Sequence, residues 1–512
     1  MAIDKKTPML VILGFDVGDP VFIERWSQEG YLPTLASIMK RGCWGRTSGP
    51  ELISEHSVWI SLFSGISVGQ HGYYSFRQLK PGTYDLQLVT GLDAGVRPFW
   101  SHLARQDKRV AIIDVPDFYP STGIAGIHLA DWSTHNPSFP PSAEPPELLQ
   151  DVHQIFGPQT KIDEKLNSSF REDQQIYRRL LERVEKAGAL CRHLLARDPF
   201  HLVVVVFSES HTAGHQFWKY RPQAQMSGSK EEEENELTHA IRDIYQAIDR
   251  QMGLFLAQVP RDANVCIFSS TGLKDHYPTT KLIEDFCRKL GYQASPESAA
   301  PSLKPLALVR RTVPEAWRIA LSRQLPRGTR ERLLSDQFRG GTNWKKTTAF
   351  PIPSFYTSFL RVNLRGREPD GIVEQGADYK NLLDRLEADL KQLIDPETGE
   401  SAVERVVRTV DVFGAEPPLS LPDSFVIWKP AAHLMRRVVH PQAELVQQKP
   451  EFFRGSDHSE QGFFAAAGPS IQKRGAIGDV SLLNLAPTFL SLMDEPIPQE
   501  LTGKALEAIL KD

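Results

Sequence analysis

The chain has 512 residues, 41% of them hydrophobic and 24% charged, with a formal net charge of -4. This balance is ordinary for a globular protein and offers no basic footprint for nucleic acid or an anionic membrane; no apolar run reaches membrane-spanning length. The first residues carry no signal-peptide pattern, and Cys43, Cys191, Cys266 and Cys287 make no zinc or disulfide spacing, so a reduced, cytoplasmic protein is expected.

The first element predicted is an apolar strand from Met9 to Phe15 that delivers Asp16 at its carboxyl end. Turn residues follow, and Pro20 to Trp26 begins an amphipathic helix. Asp16 at that point serves either as a helix cap or as a metal ligand. A second helix ends at Gly42, and Pro50 to Gly65 leads into Gln70-His71-Gly72-Tyr73. Val110 to Asp117 reads as a strand, Ile127 to Trp132 as a further segment, and Asn136 to Pro146 as proline-rich loop. Glu164 to Arg197 is charged and helical in period.

His201 to Val206 is a continuous β-branched run, the pattern of a strand buried on both faces. His211 and His215 follow where that strand ends, four residues apart and hence on one face if the chain turns helical. Open α/β sheets place chemistry at strand carboxyl ends, which suits a metal site; two surface histidines at a helix start are the plain alternative. A third histidine, His458, stands far downstream in Gly455-Ser456-Asp457-His458. A polar loop at Ser227 to Glu234, a helix from Glu236 to Val259 and a third strand, Ala263 to Phe268, complete the first part.

Three stretches together resemble the alkaline phosphatase superfamily in its type I phosphodiesterase and nucleotide pyrophosphatase branch. They are the Asp16 strand with Leu32-Pro33-Thr34-Leu35, the Pro50–Gly65 segment with His71-Gly72, and Asn363-Leu364-Arg365-Gly366-Arg367-Glu368. The ending Gly462 to Pro469 and Leu485 to Leu490 agrees, so the resemblance spans nearly the whole chain. It implies a doubly wound α/β fold with a mostly parallel central sheet. A core at 1–294 and 441–512 is expected to carry a helical insertion at 295–342 and a small α+β appendage at 343–440.

The resemblance also implies a two-metal centre with a Thr or Ser nucleophile between the ions, and this sequence departs from it. One metal's Asp corresponds to His211, its motif His to His215 and its late His to His458. Three neutral imidazoles with an open position suit zinc, with iron or manganese as alternatives. Of the other metal's ligands Asp16 remains, but the Asp-His pair falls on Ser270 and Thr271, with Asp275 and His276 just beyond. The nucleophile falls on Glu55, flanked by Ser54 and Ser57; Glu55 there is a ligand, a base for water, a nucleophile or a helix-start residue without chemistry. His56, Trp132 and His135 are substrate-side candidates, His71 a structural one. Glu209 is a candidate for holding an imidazole tautomer.

The expectation is a metal-dependent hydrolase of the phosphodiesterase type, acting on a small anionic molecule through one ion and Glu55, with Ser54 as the alternative catalytic group. A redox metalloenzyme on the same fold and a non-catalytic ligand-binding descendant are the competing readings.

Overall fold

The computed structural model describes residues 7–106, 108–120, 123–137, 139–162, 164–165, 168–222, 234–277, 279–296, 326–448 and 454–511. The chain divides into two compact units. The larger comprises Met1–His71, Thr90–Tyr277 and Phe452–Asp512, and the smaller Gly72–Val89 and Pro278–Glu451. Of the insertion expected at 295–342, residues 297–325 lie outside the described residues, as do 223–233 of the polar loop.

The larger unit is built on a nine-stranded sheet. Its centre is Leu10–Phe15, paired in parallel with Leu202–Phe207 on one side and Asn264–Ser269 on the other. All three strands are buried along their whole length, which explains the unbroken apolar run at Val203–Val206. Val110–Ile113 and Gly126–Ala130 extend the sheet in parallel, and Ser142–Glu144 closes that side antiparallel. On the other side Gly462–Ala467 pairs antiparallel with Asn264–Ser269 and with Cys43–Ser48, and Gly475–Ser481 ends the sheet. The sheet is therefore mixed and mostly parallel, as the sequence predicts.

Local chemistry explains the helix starts. Asp19, not Asp16, caps Pro20–Gln28, accepting from the Val21 and Phe22 amides at 3.0 Å each, which leaves the Asp16 carboxylate for other work. The charged helix runs Phe170–Leu195, later than its first charged residues, because Ser169 and Glu172 form a capping box there. The next helix spans Ala240–Leu256, and its Asp249 caps Pro33–Arg41 through the Thr34 and Leu35 amides. Among the described residues no helix is long and apolar enough to cross a membrane.

The smaller unit has a four-stranded antiparallel sheet, Ala349–Ile352, Ser358–Val362, Ser424–Trp428 and Val403–Arg408 in that order, with helix Ala377–Leu390 supplying Leu382, Leu386 and Leu390 to its core. The Asn363–Glu368 stretch is anchored by the buried ends Asn363 and Glu368. Arg361 pairs with Glu368 at 2.7 Å, Arg367 with Asp423 at 2.7 Å, and Tyr379 donates to Asp423 at 2.6 Å. The hairpin Arg77–Leu79 with Leu86–Leu88 joins this unit, Tyr84 stacking on Trp344 at 3.7 Å and donating to Asn363 at 2.7 Å.

Candidate metal centre

The site forms where the central strands end. Equal register from Leu10↔Leu202 to Phe15↔Phe207 brings Asp16 level with Ser208, and helix Glu209–Phe217 begins at the next residue. That helix carries His211 and His215 one turn apart on one face. His458 arrives on Ser456–Ser459, paired antiparallel with Gly272–Asp275 so that it stands opposite Leu273.

The three imidazoles converge. His458 Nε2 lies 3.3 Å from His215 Nε2 and 3.2 Å from His211 Nε2, and ligand atoms of all three fall within 4.8 Å of one another. Nitrogens about 2.0–2.1 Å from a tetrahedral ion stand about 3.3 Å apart, so the donors fit a divalent ion such as zinc. Burial first, and then the Arg454 guanidinium, holds His215 well below the ordinary imidazole range, which keeps its lone pair available.

Each imidazole turns its other nitrogen outward. His211 Nδ1 meets Asp16 Oδ2 at 3.0 Å and His215 Nδ1 meets Ser456 Oγ at 3.0 Å. His458 Nδ1 is 3.7 Å from Asp457 Oδ1, whose other oxygen lies 3.5 Å from His276 Nδ1. Burial, offset in part by His135 and His458, raises the Asp16 carboxyl to about 6. His135 lies flat on His211, ring centroids 3.8 Å apart, its Nδ1 3.0 Å from Thr212 Oγ1. Glu164 stands 3.5 Å from His135 Nε2 and pairs with Arg454 at 3.0 Å. His135, Glu164 and His211 form a second set of neighbouring donors.

The remaining candidates fall out differently. Glu209 holds no imidazole: it is buried against Arg183, bonded at 2.8 Å, because a fully buried carboxylate takes the nearest cation. Trp132 is packed, its indole N–H donating to the Gly157 carbonyl at 3.2 Å. Asp275 does not curl back; it accepts from Trp218 at 2.8 Å and Arg221 at 2.6 Å. Ser270 Oγ donates to the Asp16 carbonyl, and the Thr271 carbonyl accepts from the Gly18 amide at 2.9 Å. Ser57 Oγ is shared between the Glu51 and Ser54 carbonyls at 2.7 and 2.8 Å. Ser54 is buried at the end of the Pro50–Ile53 turn. Glu55 opens the turn Glu55–Ser57, and its side chain lies outside the described residues. His71 bonds Ser61 Oγ at 2.9 Å, and burial takes it down to about 4. Ser456, Thr212, Glu164 and Arg454 carry no signal in the sequence beyond the nearness of Ser456 and Arg454 to His458.

A profile of the type I phosphodiesterase / nucleotide pyrophosphatase family matches residues 10–327. The chain belongs to this family. Among curated proteins none matches it significantly. Phosphonoacetate hydrolase from Sinorhizobium meliloti 1021, solved with phosphonoformate, shares the phosphodiesterase-family fold. It is 11% identical with a TM-score of 0.52, over 96% of this chain and 95% of that one. Human and murine ectonucleotide pyrophosphatase / phosphodiesterase 5 align over 98% of this chain and 100% of theirs at 12% identity, with TM-scores of 0.47 and 0.46. The alkaline phosphatase-like fold and the phosphodiesterase family membership that the sequence motifs imply are both present.

Proposed function

We propose that this phosphodiesterase-family chain is a hydrolase of phosphoester or pyrophosphate bonds that works with a single divalent ion, most simply zinc, held by His211, His215 and His458. The observation that carries the reading is the meeting of three Nε2 atoms at 3.2 and 3.3 Å. Nitrogen-only donors suit zinc better than manganese or magnesium, which favour oxygen. When bound, such an ion supplies Lewis acidity towards a phosphoryl oxygen and towards water.

The chain's own residues do the rest. Burial keeps His215 neutral, and Asp16 and Ser456 orient the His211 and His215 rings. Arg454, steadied by Glu164, offers a cation to an anionic small-molecule substrate. Glu55 keeps the role its sequence position gives it, that of the base accepting a proton from attacking water. Ser54 is the alternative catalytic group. The buried Ser57 hydroxyl is already engaged with two carbonyls.

Elemental analysis of the purified protein, with a panel of phosphodiester and pyrophosphate substrates, tests this. One ion per chain is expected, lost in His215→Ala, with hydrolysis abolished by chelation and restored by one equivalent of zinc. Glu55→Ala should keep the ion and lose at least about 100-fold in rate, the usual worth of a general base. Two ions per chain, or unchanged metal in His215→Ala, overturns the single-ion reading.

A further inference from the structure

The role of Asp16 does not follow from the family resemblance. There it stands for a ligand of a second ion, yet here its Oδ2 meets the Nδ1 of His211 at 3.0 Å, on the far side of the ring from the convergent Nε2 atoms. The same carboxylate also takes a side-chain hydrogen bond from Trp59, whose indole can only donate. The indole of Trp59 and the outer edge of His211 thus both engage the Asp16 carboxylate. His135 stacks on the His211 ring at 3.8 Å with 25° between planes, so the ring is fixed by an edge contact and a face contact together. The other two imidazoles follow the same plan, Nε2 inward and Nδ1 outward to Ser456 or towards Asp457.

We infer that Asp16 is a positioning residue and not a metal ligand: it holds His211 as the Nδ1–H tautomer, so that the centre takes one ion through nitrogen alone. The inference rests on the proposed three-histidine site and goes beyond it by moving a carboxylate from the ion to the outside of a ligand. A hydrogen bond from a ligating imidazole to a carboxylate fixes its tautomer and raises the basicity of the other nitrogen; losing such a partner typically costs about 10–100-fold in metal affinity.

The test uses the full-length protein loaded with cobalt(II) as a spectroscopic stand-in. Asp16→Asn and Asp16→Ala should bind cobalt about 10–100-fold more weakly in a chelator competition, yet show the visible absorption bands of the wild type, because the directly bound atoms are unchanged. Altered bands, or a stoichiometry that falls from two ions to one in Asp16→Asn, would make Asp16 a ligand and overturn the inference. Full affinity in both variants would overturn it as well, while leaving the three-histidine site standing; failure of the wild type to bind any ion would instead sink the site itself. Should the variants not fold, nitrogen-15 NMR of histidine-labelled wild type, with the His211 signals assigned through His211→Gln, decides directly. A protonated Nδ1 is expected; a protonated Nε2 contradicts the proposal.

Discussion

Carboxyl groups at the strand ends carry different electrostatic loads, and Asp131 shows the cost. Its backbone is left-handed, φ 62°, and its Oδ2 is buried with no hydrogen-bond partner among the described residues. Burial first, and then the like charge of Asp114, raises it from the ordinary 3.8 to about 7. The folded chain therefore holds a proton that the unfolded chain has released across about pH 4–7, and stability falls as pH rises through that window. Asp131→Asn should remove the penalty, since asparagine tolerates left-handed backbone. Urea denaturation should show little difference near pH 4 and a gain on the order of 2 kcal/mol at pH 8, given about 1.4 kcal/mol per unit and sharing of the load with Asp117. An equal effect at both pH values would contradict this account. Glu209 teaches a related lesson: its place two residues before His211 suggested an imidazole partner, but Arg183, on a helix distant in sequence, claims it.

At the scale of elements, the convergence of the histidines depends on how closely one helix lies on a two-stranded ribbon. Gly214, between His211 and His215, faces Leu273, and a Cβ there would come 2.4 Å from Leu273 Cδ1. Leu273 pairs with His458, so any push on it is felt at the third imidazole. Overpacking costs about 1–3 kcal/mol, against about 1 kcal/mol returned by helix propensity. Gly214→Ala should therefore leave overall stability near that of the wild type while weakening zinc binding about tenfold, measured by chelator competition. Unchanged affinity would mean that the contact relaxes without moving His458. The strand–helix alternation was legible because Leu202–Phe207 and Asn264–Ser269 are apolar runs long enough to identify. So were the three histidines, through spacing and family motif. Their outward partners were not, because Ser456 reaches His215 across some 240 residues, and no local pattern encodes such a pairing.

At the scale of the whole molecule, the stretch Asn363–Glu368 serves the architecture of the smaller unit. Its Glu368 and Arg367 side chains tie it to Arg361 and Asp423 of the smaller unit. That unit is also discontinuous, since Gly72–Val89 belongs to it, a membership invisible to periodicity because only tertiary contacts define it. Tyr84 is the measure of this segment. Tyr84→Phe leaves Asn363 Oδ1 without its donor and should cost about 1–2 kcal/mol; Tyr84→Ala also removes the ring from Trp344 and should cost about 3 kcal/mol or more. Guanidinium denaturation followed by tryptophan fluorescence reads both, and neutrality of both variants would show that the segment contributes little to the unit.

The ribbon that carries His458 has one more consequence, for biosynthesis. Its strands, Gly272–Asp275 and Ser456–Ser459, pair like the arms of a hairpin, yet the connection between them is the excursion through the smaller unit. Closing roughly 180 residues in place of a tight turn costs about 3 kcal/mol more in chain entropy. The ribosome, at about 5–20 residues per second, reaches His458 some 10–40 seconds after Leu273. A nascent chain thus carries His211 and His215 as an incomplete pair through that interval. In the proposed three-histidine site, tight capture of an ion has to wait until the last arm of the ribbon is made, so maturation of that site follows the synthesis of Ser459.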